Sequence, residues 1–487
     1  MLNHVSKVVL TGALTVSVCA GLARAANEIH VEDWRCATGC GTHSCTTSLH
    51  STTNHNSGAN ISIVITECTR RINIYADSTS FDIGQVTITH TGSLPPQGVE
   101  LFIGQGTFPY EMGQSSAAAR DLGGISISNA SLRQRIWLAG HIAGDQGIVT
   151  VGKVYRWDVA GVMNGGISAE LSPDAENLFH VYAGSTASVG ITAHSGTITL
   201  VDIGGNSAAH VGALEEGVVS VMVGGNFTGA IDAGTFITSV IVTGNIGTDG
   251  AAVQIATHDS GGSIGVIEAA NINANITAGG VNATGDIEQV RTTSATFFKG
   301  FVKATDLLGT GEEPALDIAG DVTATLTVHG SVEAPINIGG DLDSNLTVEG
   351  SVNAPIDIAG DLDANLTVGE SVNAPIDIGD YLQSGNTIKI YLSLDGDASI
   401  TIGEAAGLEG QIIINADGFD QGSWDGDVRV GAVTLAPTAY VQLPSDLGGG
   451  AVGFAGFNFH AWACSPQHEE VLSSPPSSVV VDHYGPV

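Results

Sequence analysis

The sequence predicts an all-β protein: a right-handed parallel β-helix, or β-solenoid, with coils of about twenty residues and a cap at each end. Three observations carry this. A ten-residue sentence recurs seven times between Leu316 and Gly385, from LDIAGDVTAT and LTVHGSVEAP to LTVGESVNAP and IDIGDYLQSG. Alternate copies resemble each other more than neighbours do, so the full period is twenty residues. Within each copy the aliphatics alternate with polar residues, as Ile336 and Ile338 do around Asn337, and glycine follows. That period of two belongs to short strands, and glycine permits the bend between them.

Because each residue type keeps its phase, the coils must superpose. Parallel stacking sets Ile336 over Ile356 over Ile376 and Thr327 over Thr347 over Thr367, about 4.8 Å apart. An antiparallel meander would not hold that phase. Parallel crossovers are right-handed almost without exception. Six inward aliphatics per coil, Ile336, Ile338, Leu342, Leu346, Val348 and Val352 in one of them, are too few to order a coil in isolation. Neighbouring coils must therefore stabilise each other, which explains why the copies come in a row.

The chain divides in order. Residues 1–25 carry Lys7, an apolar run from Val8 to Leu22 and the small-x-small sequence Ala23-Arg24-Ala25, the pattern of a secretory signal peptide. Residues 26–60 form a Cys/His-rich N-terminal cap. The solenoid is expected over 61–445, with clean repeats at 316–385 and an irregular insertion at 291–315. Weaker copies of its signature begin at Ile136, Val221, Val240 and Val281, and strands of the same kind continue past residue 415. About 17 coils would make a rod roughly 80 Å long. Residues 446–464, with Phe454, Phe457, Phe459 and Trp462, supply an aromatic C-terminal cap over an otherwise open sheet edge. Residues 465–487 are a Ser/Pro-rich tail. No second apolar stretch is long enough for a transmembrane helix.

Export gives the cysteines a meaning. Cys36, Cys40, Cys45 and Cys68 crowd the N-terminal cap, and two disulfides are the simplest reading. A metal site is the alternative, because His43, His50 and His55 are interleaved with them, but the spacing lacks the paired knuckles of structural zinc sites. Cys464 stands alone at the other end.

Charge excludes more than it assigns. The 487 residues hold 50 Asp plus Glu against 15 Lys plus Arg, a formal net charge of −35. No Lys or Arg occurs from Trp157 to Val290 or from Ala304 to Ile388. Such a surface repels phosphate backbones, so nucleic acid is excluded as a partner, and anionic polysaccharides are disfavoured. Stacking also concentrates the charge. Asp321, Asp341 and Asp361 fall in one column, flanked by Asp343 and Asp363, and Asp317, Asn337, Asp357 and Asp377 fall in another. Like charges opposite each other repel, and a hard cation with oxygen ligands would relieve them. Asp341, Asp343, Asp361 and Asp363 are therefore the candidate calcium ligands, against solvated carboxylates as the plain alternative. No other cofactor is implied.

The remaining motifs narrow the function. Thr325 and Thr327, Asn345 and Thr347, and Asn365 and Thr367 make an outward Thr/Asn strip, shorter than an ice-binding array requires. The Asn-x-Thr sequons at Asn345 and Asn365 belong to the same ladder. No G-x-S-x-G, H-E-x-x-H or P-loop sequence appears, nor an Asp-Asp pair of the inverting-hydrolase kind. The sequence thus points to a secreted, acidic solenoid with a structural or adhesive role at the cell surface, its partner an extracellular-matrix component, a cell-surface component or a neutral glycan. The alternative is a carbohydrate-active β-helix that binds or cleaves a neutral polysaccharide, and catalysis is left open.

Overall fold

In the computed structural model the described residues are strands and turns without a helix, and their parallel sheets form a β-solenoid with about 11 regular turns. Residues 180–383 are described continuously except for 281, 295 and 296. Outside that range the description covers strands and a few flanking positions between Glu28 and His460. Residues 1–27 and 461–487, with the expected signal peptide, Cys464 and the tail, lie outside the described residues.

Each coil of the clean repeats has four sides. Two are strands of three or four residues built on aliphatic-x-aliphatic. Leu316–Ile318, Ile336–Ile338, Ile356–Ile358 and Ile376–Ile378 stack in one sheet, in parallel and in register. Thr325–Val328, Leu346–Val348, Leu366–Val368 and Thr387–Ile390 stack in the second. The other two sides contribute one inward aliphatic each. Val322, Leu342, Leu362 and Leu382 form a column of single parallel bridges, and Val332, Val352, Val372 and Leu394 form another. All six expected inward side chains of the coil starting at Ile336 are fully or almost fully buried. Each contributes about 1.5–3 kcal/mol of apolar burial.

The glycines after the first strand serve a different purpose from the one their turn position implies. Neither Gly340 nor Gly360 has a positive φ. A Cβ at Gly340 would collide with Oδ1 of Asp321, and one at Gly360 with Oδ1 of Asp341. These glycines leave room for a carboxylate of the preceding coil.

Upstream the same two sheets continue through coils of uneven length. Val221, Val240, Ile267, Val290, Leu316 and Ile336 stack in the first sheet. The phase therefore carries through to the clean repeats, but by way of Ile267 and Val290; of the signature that begins at Val281, residues 282–286 lie in the turn before Ile287–Thr292. Segment 291–315 is only partly an excursion. Its strand Phe298–Ala304 sits in the second sheet between Asn271–Thr277 and Thr325–Val328. What loops out lies around Gly309 and Gly311, both with positive φ, closed by a Thr310–Glu313 bridge. The repeat is hard to see here because Phe301 and the lysines replace the usual Thr and Asn on the outer side.

Parallel pairing extends beyond the regular turns in both directions, from Thr69–Ala76 at one end of the first sheet to Ala451–Phe454 at the other. The sequence count of about 17 coils includes these flanks. At both ends the first sheet finishes with an antiparallel strand. Glu28–Cys36 pairs with Thr69–Ala76 and with Ser48–Asn56, and Phe457–His460 folds back on Ala451–Phe454. An antiparallel strand stops the coil-on-coil propagation that a parallel edge invites.

Candidate functional site

The solenoid places the four candidate calcium ligands on adjacent coils but gives them two different tasks. Asp341 Oδ1 accepts the backbone N–H of Asp361 at 2.8 Å, and Asp361 Oδ1 accepts that of Tyr381 at 2.9 Å. Asp321 does the same for Asp341, at 3.1 Å. Each carboxylate thus caps a turn amide of the following coil; Gly340 and Gly360 leave space beside Asp321 and Asp341, whereas Asp361 caps Tyr381 with Asp380 in the glycine position. The second oxygen of Asp361 accepts from the Gln383 amide at 3.0 Å.

Asp343 and Asp363 receive no such support. Burial first, then the carboxylates of Asp341, Asp321 and Asp361, push the Asp343 carboxyl above the ordinary aspartate value. Burial first, then Asp361, Asp343 and Asp341, do the same to Asp363, whose Oδ1 is buried without a hydrogen-bond partner. Losing solvation and facing like charge both disfavour the ionised form. Among the described residues no group of three or more His, Cys, Asp or Glu side chains is arranged to hold a metal ion. The repulsion that motivates a cation is therefore present, while two of the four carboxylates already spend an oxygen on the backbone.

The side-chain ladder is general. Asn206 and Asn226 cap the next coil's amides at 2.8 and 2.9 Å, Asp306 caps Ser331 at 2.6 Å, and Asn345 and Asn365 cap Asn365 and Thr387 at 3.0 and 2.9 Å. On another corner Glu333, Asn353 and Asn373 bond side chain to side chain, at 2.7 Å each. A signal in the sequence marks much of this: a small polar residue directly after a glycine at the end of an aliphatic-x-aliphatic strand.

Of the four expected disulfide cysteines, Cys36 ends the strand Glu28–Cys36, and Cys40, Cys45 and Cys68 lie outside the described residues. The outward Asp317, Asn337, Asp357 and Asp377 stack in register as expected, and Arg291 on the preceding coil meets Asp317 at 3.4 Å. That pair is exposed and contributes little.

One cluster had no signal in the sequence. On the second sheet, the Asp232 carboxylate receives His210 Nε2 at 2.7 Å, His258 Nε2 at 3.2 Å and the Gln254 amide at 3.3 Å. The three partners are spread over about fifty residues, and only the stacking of unequal coils brings them together. The imidazoles are more than half exposed and the carboxylate is 17% exposed. The cluster ties three successive coils through one acceptor.

No family model, curated protein or solved structure matches the chain.

Proposed function

We propose that the protein is a secreted structural or adhesive rod that presents a long, repeated polar surface at the cell exterior. The observation that carries this reading is the repetition of the outward side chains themselves. On the second sheet, Thr327, Thr347 and Thr367 recur at successive coils. A surface built by translation offers the same contact many times, which suits multivalent attachment; a catalytic centre requires a single, distinct constellation. The N-terminal leader pattern supports export, and the net charge of −35 keeps such a rod from pairing edge to edge with its copies.

The test is fractionation of a host expressing the full chain, followed by assay of the exported protein on polysaccharides. Recovery from the extracytoplasmic fraction, with retention on surfaces and no release of reducing ends, is the expected result. Turnover of a neutral polysaccharide that one carboxylate substitution abolishes would replace this reading with the carbohydrate-active one.

A further inference from the structure

The two sheets carry opposite outward chemistry. In the first sheet the outward column runs Glu268, Arg291, Asp317, Asn337, Asp357 and Asp377, four carboxylates against one guanidinium. In the second, no strand from Asn271–Thr277 through Gln411–Ile414 contains Asp or Glu. Given 50 acidic residues in the chain, that is a segregation of charge. Its outward positions form two columns. One runs Asn275, Phe301, Thr325, then Asn345, Asn365 and Thr387, and the other runs Thr277, Lys303, Thr327, Thr347, Thr367 and Lys389.

The hydrogen-bonding polarity of this strip is set by the ladder. Because Asn345 and Asn365 spend Oδ1 on the next coil's N–H, each turns its NH2 away as a donor. The threonine hydroxyls beside them donate or accept. At the ends of the strip, Lys303 lies 5.1 Å from the centroid of the Phe301 ring and Lys389 lies 4.3 Å from that of Tyr391. Carboxylates border the strip along the chain, at Asp343 and Asp363 on one side and at Glu349 and Glu370 on the other. A polyanion would meet those borders, and a polycation would meet the lysines. Rows about 4.8 Å apart recur at roughly the advance of one pyranose ring along a linear chain.

We propose that this strip, from Phe301 to Lys389, binds a linear neutral polysaccharide lying along the rod. The amides donate to ring and glycosidic oxygens, the threonines exchange hydrogen bonds with sugar hydroxyls, and the terminal aromatic rings offer stacking surfaces. The inference rests on the reading of the protein as an exported adhesive rod and names the partner of that rod.

The experiment is a pull-down of the full-length exported protein on microcrystalline cellulose, chitin and insoluble mannan, with the melting temperature recorded for every variant. Retention of the wild type on at least one of these is expected. Thr347→Val combined with Thr367→Val removes two hydroxyls from the middle of the strip and should lower retention about tenfold. Asp357→Asn with Asp377→Asn, on the opposite sheet, should leave it unchanged. If the valine variant melts early, Phe301→Leu carries the same test at the strip's end. Failure of an exported, folded wild type to be retained, or equal loss from both double variants, overturns the glycan strip and leaves the rod intact. Shaping of ice crystals without retention on any polysaccharide overturns it as well. A chain that is never exported removes the underlying reading instead.

Discussion

Two columns of aspartates stand two residues apart on the same coils, and they do opposite things to the fold. Asp321, Asp341 and Asp361 each accept a backbone N–H of the coil above. Asp343 and Asp363 accept none of these amides and are held above the ordinary aspartate value by burial and by the first column. The comparison teaches that stacking identical side chains is favourable only where each one also completes a hydrogen bond along the stack. Where it does not, the same repetition accumulates like charge.

Both columns rest on the aliphatic stack, and the largest effect lies there. Leu346 is fully buried between Leu326 and Leu366. Leu346→Asp should cost more than about 4 kcal/mol and unfold several adjacent coils, visible as lost amide protection over the clean repeats. A purely local loss would break the one-dimensional picture.

Next comes the supporting column. Asp341→Ala leaves the part-buried amide of Asp361 without its 2.8 Å acceptor and should cost about 1 kcal/mol. The cost is bounded because water reaches part of this turn.

The unsupported column should respond in the opposite direction. Asp343→Asn with Asp363→Asn removes like charge and should stabilise the fold at neutral pH by less than about 0.5 kcal/mol for each exposed or half-exposed site, seen as a slightly higher melting temperature. The pH dependence follows the same sign. A carboxyl whose folded pKa lies above its unfolded value binds its proton more tightly in the folded state. Asp343, Asp363 and Asp286, the last raised by burial and by Asp306, therefore add stability at acid pH. That contribution is lost as pH rises from the ordinary aspartate value through the raised folded values. The wild type should lose stability as pH rises through the raised folded values of these carboxyls, and the Asp343→Asn, Asp363→Asn variant should lose part of that dependence. If calcium relieves the same repulsion, adding it at neutral pH will raise the melting temperature of the wild type but not of this variant, and a chelator will reverse the rise.

The smallest effect is expected at Thr347→Ser, which keeps a hydroxyl on a half-exposed strand position and should be nearly silent in melting. A large loss there would mean that the outer columns, rather than the buried stack, hold the coils in register.

Much of this architecture is legible in the residues. The in-register columns of Ile336, Thr327 and Asp317 follow directly from a twenty-residue period, because parallel strands keep like residues together. The four-sided coil is less evident, since Leu342 and Val352 each stand alone and a single inward residue leaves no alternation to detect. The capping role of Asp341 is concealed for another reason. Its partner is a backbone amide twenty residues away, and Gly360, which makes room for it, looks like an ordinary turn glycine although its φ is not positive. The His210, Asp232 and His258 cluster could not be read at all, because the coils between these residues have unequal lengths and no period aligns them.

The most direct test separates the charge of Asp341 from its hydrogen bond. Asp341→Asn keeps Oδ1 and removes the charge, whereas Asp341→Ala removes both. Thermal unfolding of the two variants at neutral pH should place Asn at or above the wild type and Ala below it. Equal melting temperatures for Asn and Ala would contradict the claim that this column stabilises the solenoid by capping the next coil's backbone.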